Sequence, residues 1–133
     1  MIIICSWAII LLLNSARFPW FLVPAKGPTI TSITSPTSTE LKVTWGNLTE
    51  DDANGIITNY SVCYQVTGSE KDSCTNSITV IGGSTTTATL MGLNEATTYD
   101  VAVKAATAVG FGVLGDTMVK KTLEDGKCRK SDA

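Results

Sequence analysis

Histidine is absent from all 133 residues of the chain. That removes Ser-His-Asp and Cys-His nucleophilic catalysis, and with them the commonest metal ligand. Basic excess is missing too. The formal net charge is −2, which argues against nucleic acid, since phosphate binding needs a clustered cationic footprint. No Asp or Glu stands in an apolar run that would tune its ionisation, so carboxylate acid–base chemistry has no seat. No stretch repeats its apolar residues near a period of 3.6, the signature of an amphipathic helix. These absences exclude the common enzyme classes and call for no cofactor. What remains is alternation: short runs of period two separated by turn residues, on a chain long enough for one domain with short extensions.

The longest apolar run lies at the amino terminus, where residues 2–13 hold a single serine. A bilayer takes about 20 apolar residues, so this block is short for a span but suits the core of a secretory signal. Asn14-Ser15-Ala16 supplies small and polar residues, with cleavage expected after Ala16. No Lys or Arg precedes the block, and a second apolar patch follows at residues 18–23. An uncleaved anchor is therefore the alternative to a signal peptide over residues 1–16. Either delivers the rest of the chain to an oxidising extracellular compartment, and membrane contact is expected only through this segment. Residues 17–27, with Pro24 and Gly27, read as a breaker-rich linker.

Seven short strands follow. The first is expected over residues 29–34, with a turn at Ser35-Pro36-Thr37-Ser38. Leu41-x-Val43-x-Trp45 alternates with Lys42 and Thr44, a strand buried on one face. A polar loop over residues 46–55 leads to a third strand, where Tyr60, Val62 and Tyr64 share one side and Asn59, Ser61 and Cys63 the other. Gly68-Ser69 turns it, and Ile78 and Val80 mark a fourth strand. Residues 87–90 form a fifth, ending near Leu93. Then comes Leu93-Asn94-Glu95-Ala96-Thr97-Thr98-Tyr99, leading into Val101-x-Val103-x-Ala105. A leucine, a polar corner and a tyrosine opening the next strand put a ring in the core while its hydroxyl bonds back to the corner, as in two-sheet β domains. A glycine-punctuated loop, 108–115, and a last strand around Met118-Val119 complete the body. Residues 124–133 form a polar, basic tail. The core is expected to gather Trp45, Tyr60, Val62, Leu90, Leu93, Tyr99 and Val101, with Trp45 packed against Tyr60 and Tyr99.

Taken together, Pro28, Leu41-x-Val43-x-Trp45, Gly55-Ile56-Ile57-x-x-Tyr60-x-Val62-x-Tyr64, the leucine-to-tyrosine corner and Ala105-x-x-Ala108-x-Gly110-x-Gly112 resemble the fibronectin type III domain over residues 28–123. The departure is Glu95, where the family often has proline. The resemblance implies an all-β, seven-stranded antiparallel two-sheet sandwich of immunoglobulin-like architecture. It also implies a non-catalytic extracellular adhesion or receptor module that meets an unidentified protein through the loops at one end, here 46–55, 81–85 and 108–115. Phe111, Val113 and Leu114, flanked by glycines, are the candidate contacts; the alternative is that Phe111 folds over the sandwich end as a lid. No Arg-Gly-Asp is present, so integrin binding of the fibronectin kind is not implied. A Trp-Ser-x-Trp-Ser stretch, usual in cytokine receptors, is missing near the last strand. The alternatives are the ectodomain of a signalling receptor and an accessory module of a multidomain enzyme, such as a receptor phosphatase.

Four cysteines need accounting. Cys5 would leave with a cleaved signal, and Cys128 in the tail has no evident partner. Cys63 and Cys74 would stand directly opposite across a two-residue hairpin at Gly68-Ser69, within bridging range. Parity conflicts with this, because Ile78 and Val80 facing inward turn Cys74 inward as well unless a bulge intervenes. Two glycosylation sequons occur, Asn47-Leu48-Thr49 and Asn59-Tyr60-Ser61. Glu50-Asp51-Asp52 lacks the spaced ligands of a calcium site and reads as a solvated loop.

Overall fold

The computed structural model describes residues 23–69, 74 and 76–124. The expected signal or anchor, the start of the linker, Cys5, Cys128 and the basic tail lie outside these residues.

Seven strands build two antiparallel sheets. They are β1 (Ile30–Thr37), β2 (Glu40–Trp45), β3 (Asn59–Val66), β4 (Asn76–Ile81), β5 (Thr87–Leu90), β6 (Thr98–Ala106) and β7 (Met118–Lys121). One sheet runs β1-β2-β5 and the other β4-β3-β6-β7. Alternation dictates which faces meet. Leu41, Val43 and Trp45 of β2 and Tyr60 and Val62 of β3 turn inward, joined by Val101, Val103 and Ala105 of β6. Each is at most 2% exposed, and burying a side chain of this size contributes roughly 1.5–3 kcal/mol. The sandwich rests on this layer.

Trp45, Tyr60 and Tyr99 join one core as expected, but the rings pair off instead of setting Trp45 against Tyr99. Trp45 meets Tyr60 at 5.2 Å between ring centroids, and Tyr64 meets Tyr99 edge-on at 6.3 Å. Register explains the separation. Tyr60 pairs with Ala105, whereas Tyr99 pairs with Val66, six residues further along β3. At about 3.3 Å per residue, Trp45 and Tyr99 sit on the order of 20 Å apart. Two aromatic pairs therefore pin opposite ends of one core.

Other departures are local. β1 runs through Pro36 to Thr37, and the turn falls at Ser38-Thr39. Proline is tolerated there because β1 is an edge strand, and its pairing with β2 shifts between Thr34 and Thr37. The polar loop holds one helical turn, α1 (Glu50–Ala53), where no helix was expected. The Thr49 hydroxyl caps it by accepting from the Asp52 amide at 3.2 Å, and Asn54 closes it in the left-handed region at φ 55°. The expected linker is not a free spacer at residues 23–28. Pro24 and Pro28 are fully buried, and the Ala25 amide donates to the Asp52 carbonyl at 2.7 Å. Gly112 and Gly115 permit this. A Cβ at either would run into the Pro24 or Pro28 carbonyl.

Candidate functional site

Three features could carry function: the tyrosine corner, the disulfide and the loop end of the four-stranded sheet. The corner forms as expected. The Tyr99 hydroxyl accepts from the Asn94 amide at 2.9 Å. Its second support, Thr122, escaped the sequence reading. Thr122 is 2% exposed; its hydroxyl donates to the Asn94 carbonyl at 2.6 Å and accepts from the Thr97 amide at 3.0 Å. Nothing local marks a threonine after two lysines as a hub, because its partners lie 25 and 28 residues away in sequence. Thr122→Val keeps the shape and leaves both backbone groups unpaired, so it is expected to cost about 1–3 kcal/mol in a denaturant titration.

Cys63 and Cys74 are bridged, with Cα atoms 5.2 Å apart. They are not opposed in the ladder, however. Cys63 faces Ser77, because pairing in β4 begins only at Asn76. The connection is longer than a two-residue hairpin, which frees Cys74 from the parity of Ile78 and Val80. Cys63 does lie on the outer side of its strand, yet it is only 5% exposed. Leu114 and Thr117 share a small crevice with it and with Gln65, Asp100 and Ala102. Asp100 is buried too, against the expectation that no carboxylate has an apolar setting. It lies between Tyr99 and Val101 in the sequence, on the outer face, its carboxylate accepting from the Thr67 hydroxyl at 2.7 Å.

The loop end lies where β3 begins and β6 finishes. Ile81, Asn59, Ala106 and Phe111 form one row across the outer face, through the pairs Ile81–Asn59, Asn59–Ala106 and Ala106–Phe111. Phe111 is thus neither a loop tip nor a lid on the sandwich. It lies 41% exposed on the sheet, with the Lys104 ammonium 5.0 Å from its ring centroid. Within this row Ile81 is 77% exposed, and in the loops at the same end Ile56 is 83% and Val109 45% exposed. Val109 belongs to a tight turn, in which the Thr107 and Gly110 amides each donate to the other's carbonyl at 3.1 Å. Val113 is 57% exposed next to the buried Pro24, and its amide donates to the Pro24 carbonyl.

Of the sequons, Asn47 is exposed, and Thr49 serves as the helix cap. Asn59 is half-buried, its side-chain oxygen accepting from the Thr58 hydroxyl at 2.7 Å, and Ser61 is buried. Glu50, Asp51 and Asp52 form the first turn of α1, where carboxylates offset the exposed amides. Asp52 also pairs with Lys26 at 3.6 Å, an exposed contact worth little. Among the described residues no group of three His, Cys, Asp or Glu could hold a metal ion.

Tyr60 is a buried titratable group among the described residues. Burial raises its pKa, and the nearby Trp45 indole opposes this weakly. The Trp45 Nε1–H itself makes no hydrogen bond of good geometry among the described residues, whereas the Tyr60 hydroxyl donates to the Gly83 carbonyl at 2.9 Å. A raised folded pKa means the neutral form is favoured by folding. Its contribution is therefore complete below the unfolded value, about 10, and is lost as pH climbs through the folded value. Melts taken above pH 10 should fall in midpoint, and Tyr60→Phe should flatten that alkaline decline.

A sandwich of this strand order, closed by a tyrosine corner, agrees with the match of residues 26–119 to the fibronectin type III domain. The chain belongs to the fibronectin type III family. Its fibronectin type III relatives include mouse protein sidekick-2, 36% identical over 77% of this chain, and mouse receptor-type tyrosine-protein phosphatase F, 34% identical over 76%. The chain spans 5% of the length of each. Among solved structures, the third fibronectin III domain of human KIAA0343 protein superposes with a TM-score of 0.66 at 22% identity, covering 77% of this chain and 86% of that one. The fn3 domain of human contactin 1 gives 0.63 at 24%, covering 76% and 80%. Both likenesses concern the fold. No helix among the described residues is long and apolar enough to cross a membrane.

Proposed function

We propose that this domain is a non-catalytic extracellular interaction module, one piece of a larger adhesion or receptor protein. The observation that carries the reading is the exposed apolar group Ile56, Ile81, Val109 and Phe111 at one end of the sandwich. Exposed apolar and aromatic residues held on a rigid frame are the material from which protein contacts are built. The disulfide supports an oxidising compartment, as does similarity to a receptor-type protein. In this reading residues 1–16 direct secretion or anchor the chain, and a glycan sits on the exposed Asn47. Display is the whole mechanism: the core holds the loops, and a partner reads them.

The test is a multivalent secreted form of the chain screened against a panel of cell-surface ectodomains. Binding should weaken at least about tenfold on Val109→Asp or Phe111→Asp, with the melting temperature unchanged. Binding that ignores both substitutions, or none anywhere on the panel, contradicts the proposal. Similarity to receptor-type tyrosine-protein phosphatase F favours a second reading, a spacer or recognition module of a multidomain receptor enzyme.

A further inference from the structure

Each sheet edge presents unpaired backbone amides and carbonyls, and soluble proteins blunt such edges to avoid adding foreign strands. Three of the four edges here are blunted, each by a different device. β1 carries Pro36 and two register shifts, and the Leu123 amide ties to its Ser35 hydroxyl at 3.0 Å. β7 carries Lys120 and Lys121, and the irregular segment before it is flanked by residues 24–28. β5 is only four residues long.

β4 has none of these protections. Its six residues, Asn76-Ser77-Ile78-Thr79-Val80-Ile81, include no charge, proline or glycine. Its pairing with β3 is regular from end to end, so no bulge turns it away. Among the described residues nothing lies along its other side. Ile78 and Val80 point toward the core but stay half-exposed at its margin, and Ile81 is 77% exposed.

We infer that β4 is a pairing edge, and that its occupant is β4 of a second copy of this chain. The edge is self-complementary. In an antiparallel pairing centred on Thr79, Ile78 faces the partner copy's Val80 and Thr79 faces its own counterpart. Ser77 then meets Ile81. Sheet faces are conserved in this register: Ile78 and Val80 lie on the core side, and Ser77, Thr79 and Ile81 on the outer one. Threonine pairs and β-branched pairs are favourable across strands. A neutral strand meets no like charge in the same strand of its own copy. The result is a continuous eight-stranded sheet with both Ile78–Val80 gaps closed. An edge contact of this kind buries little area, so the dimer is weak and fills at high local concentration.

The test uses the full chain with Cys5→Ser and Cys128→Ser, which removes other intermolecular thiols. Thr79→Cys in that background should yield a disulfide-linked dimer under mild oxidation, while Thr34→Cys on β1 should not. Sedimentation of the background chain should show reversible dimers, and Thr79→Lys, placing two ammonium groups face to face, should weaken association about fivefold without changing the melt. A chain that stays monomeric up to millimolar concentration would overturn the inference, and so would equal cross-linking of both cysteine variants. An extended peptide from another protein adding to β4, with no self-association, would overturn the choice of occupant.

Discussion

Trp45→Ala should lower the unfolding free energy by about 3–5 kcal/mol. For a domain of this size that corresponds to a melting temperature lower by on the order of 15–25 °C. Trp45 is 2% exposed, closes the end of β2 against Tyr60, and joins the core residues of both sheets. Truncation leaves a large void that the flanking β-branched residues cannot fill without leaving their rotamers. Trp45→Phe should cost well under half as much, because the indole Nε1–H has no hydrogen bond to lose. Thermal melts of the two variants side by side separate ring packing from hydrogen bonding. An unchanged midpoint for Trp45→Ala would mean the sheets are held by something other than this layer.

Removing the disulfide ranks second. The Cys63→Ala/Cys74→Ala pair should destabilise the domain by about 3 kcal/mol, the chain-entropy value for a bridge of this span. The sequence separation is 11 residues. Because β4 has just one neighbouring strand, the loss should show first as faster amide exchange in β4 and only then as global unfolding. A denaturant titration checks the first number and hydrogen exchange the second. Equal stability with and without the bridge would make it an ornament of oxidation rather than part of the fold.

Much of the architecture was legible because alternation is strict where both sheets face the core. Leu41-x-Val43-x-Trp45 and Tyr99-x-Val101-x-Val103 can bury their apolar residues in only one register. The corner was legible for the same reason, since a tyrosine there has a backbone amide within reach of its hydroxyl. Features that rest on distant partners were not. Thr122 binds residues 25 and 28 positions away, and Pro24 is buried by the Gly112 loop, which comes almost at the other end of the body. α1 did leave a trace, in Thr49 three residues before the acid Asp52, but three acids in a polar loop obscured it. The placement of Phe111 depended on β6 continuing to Ala106 and pairing back. Glycines on both sides of it suggested a loop instead.

The most direct check on the central layer is intrinsic fluorescence. The chain has three tryptophans, so Trp7→Phe with Trp20→Phe leaves Trp45 as sole reporter. A sandwich sealed around that ring predicts blue-shifted emission that iodide cannot quench, moving red in one cooperative step with denaturant. Red, freely quenched emission from the native chain would contradict it.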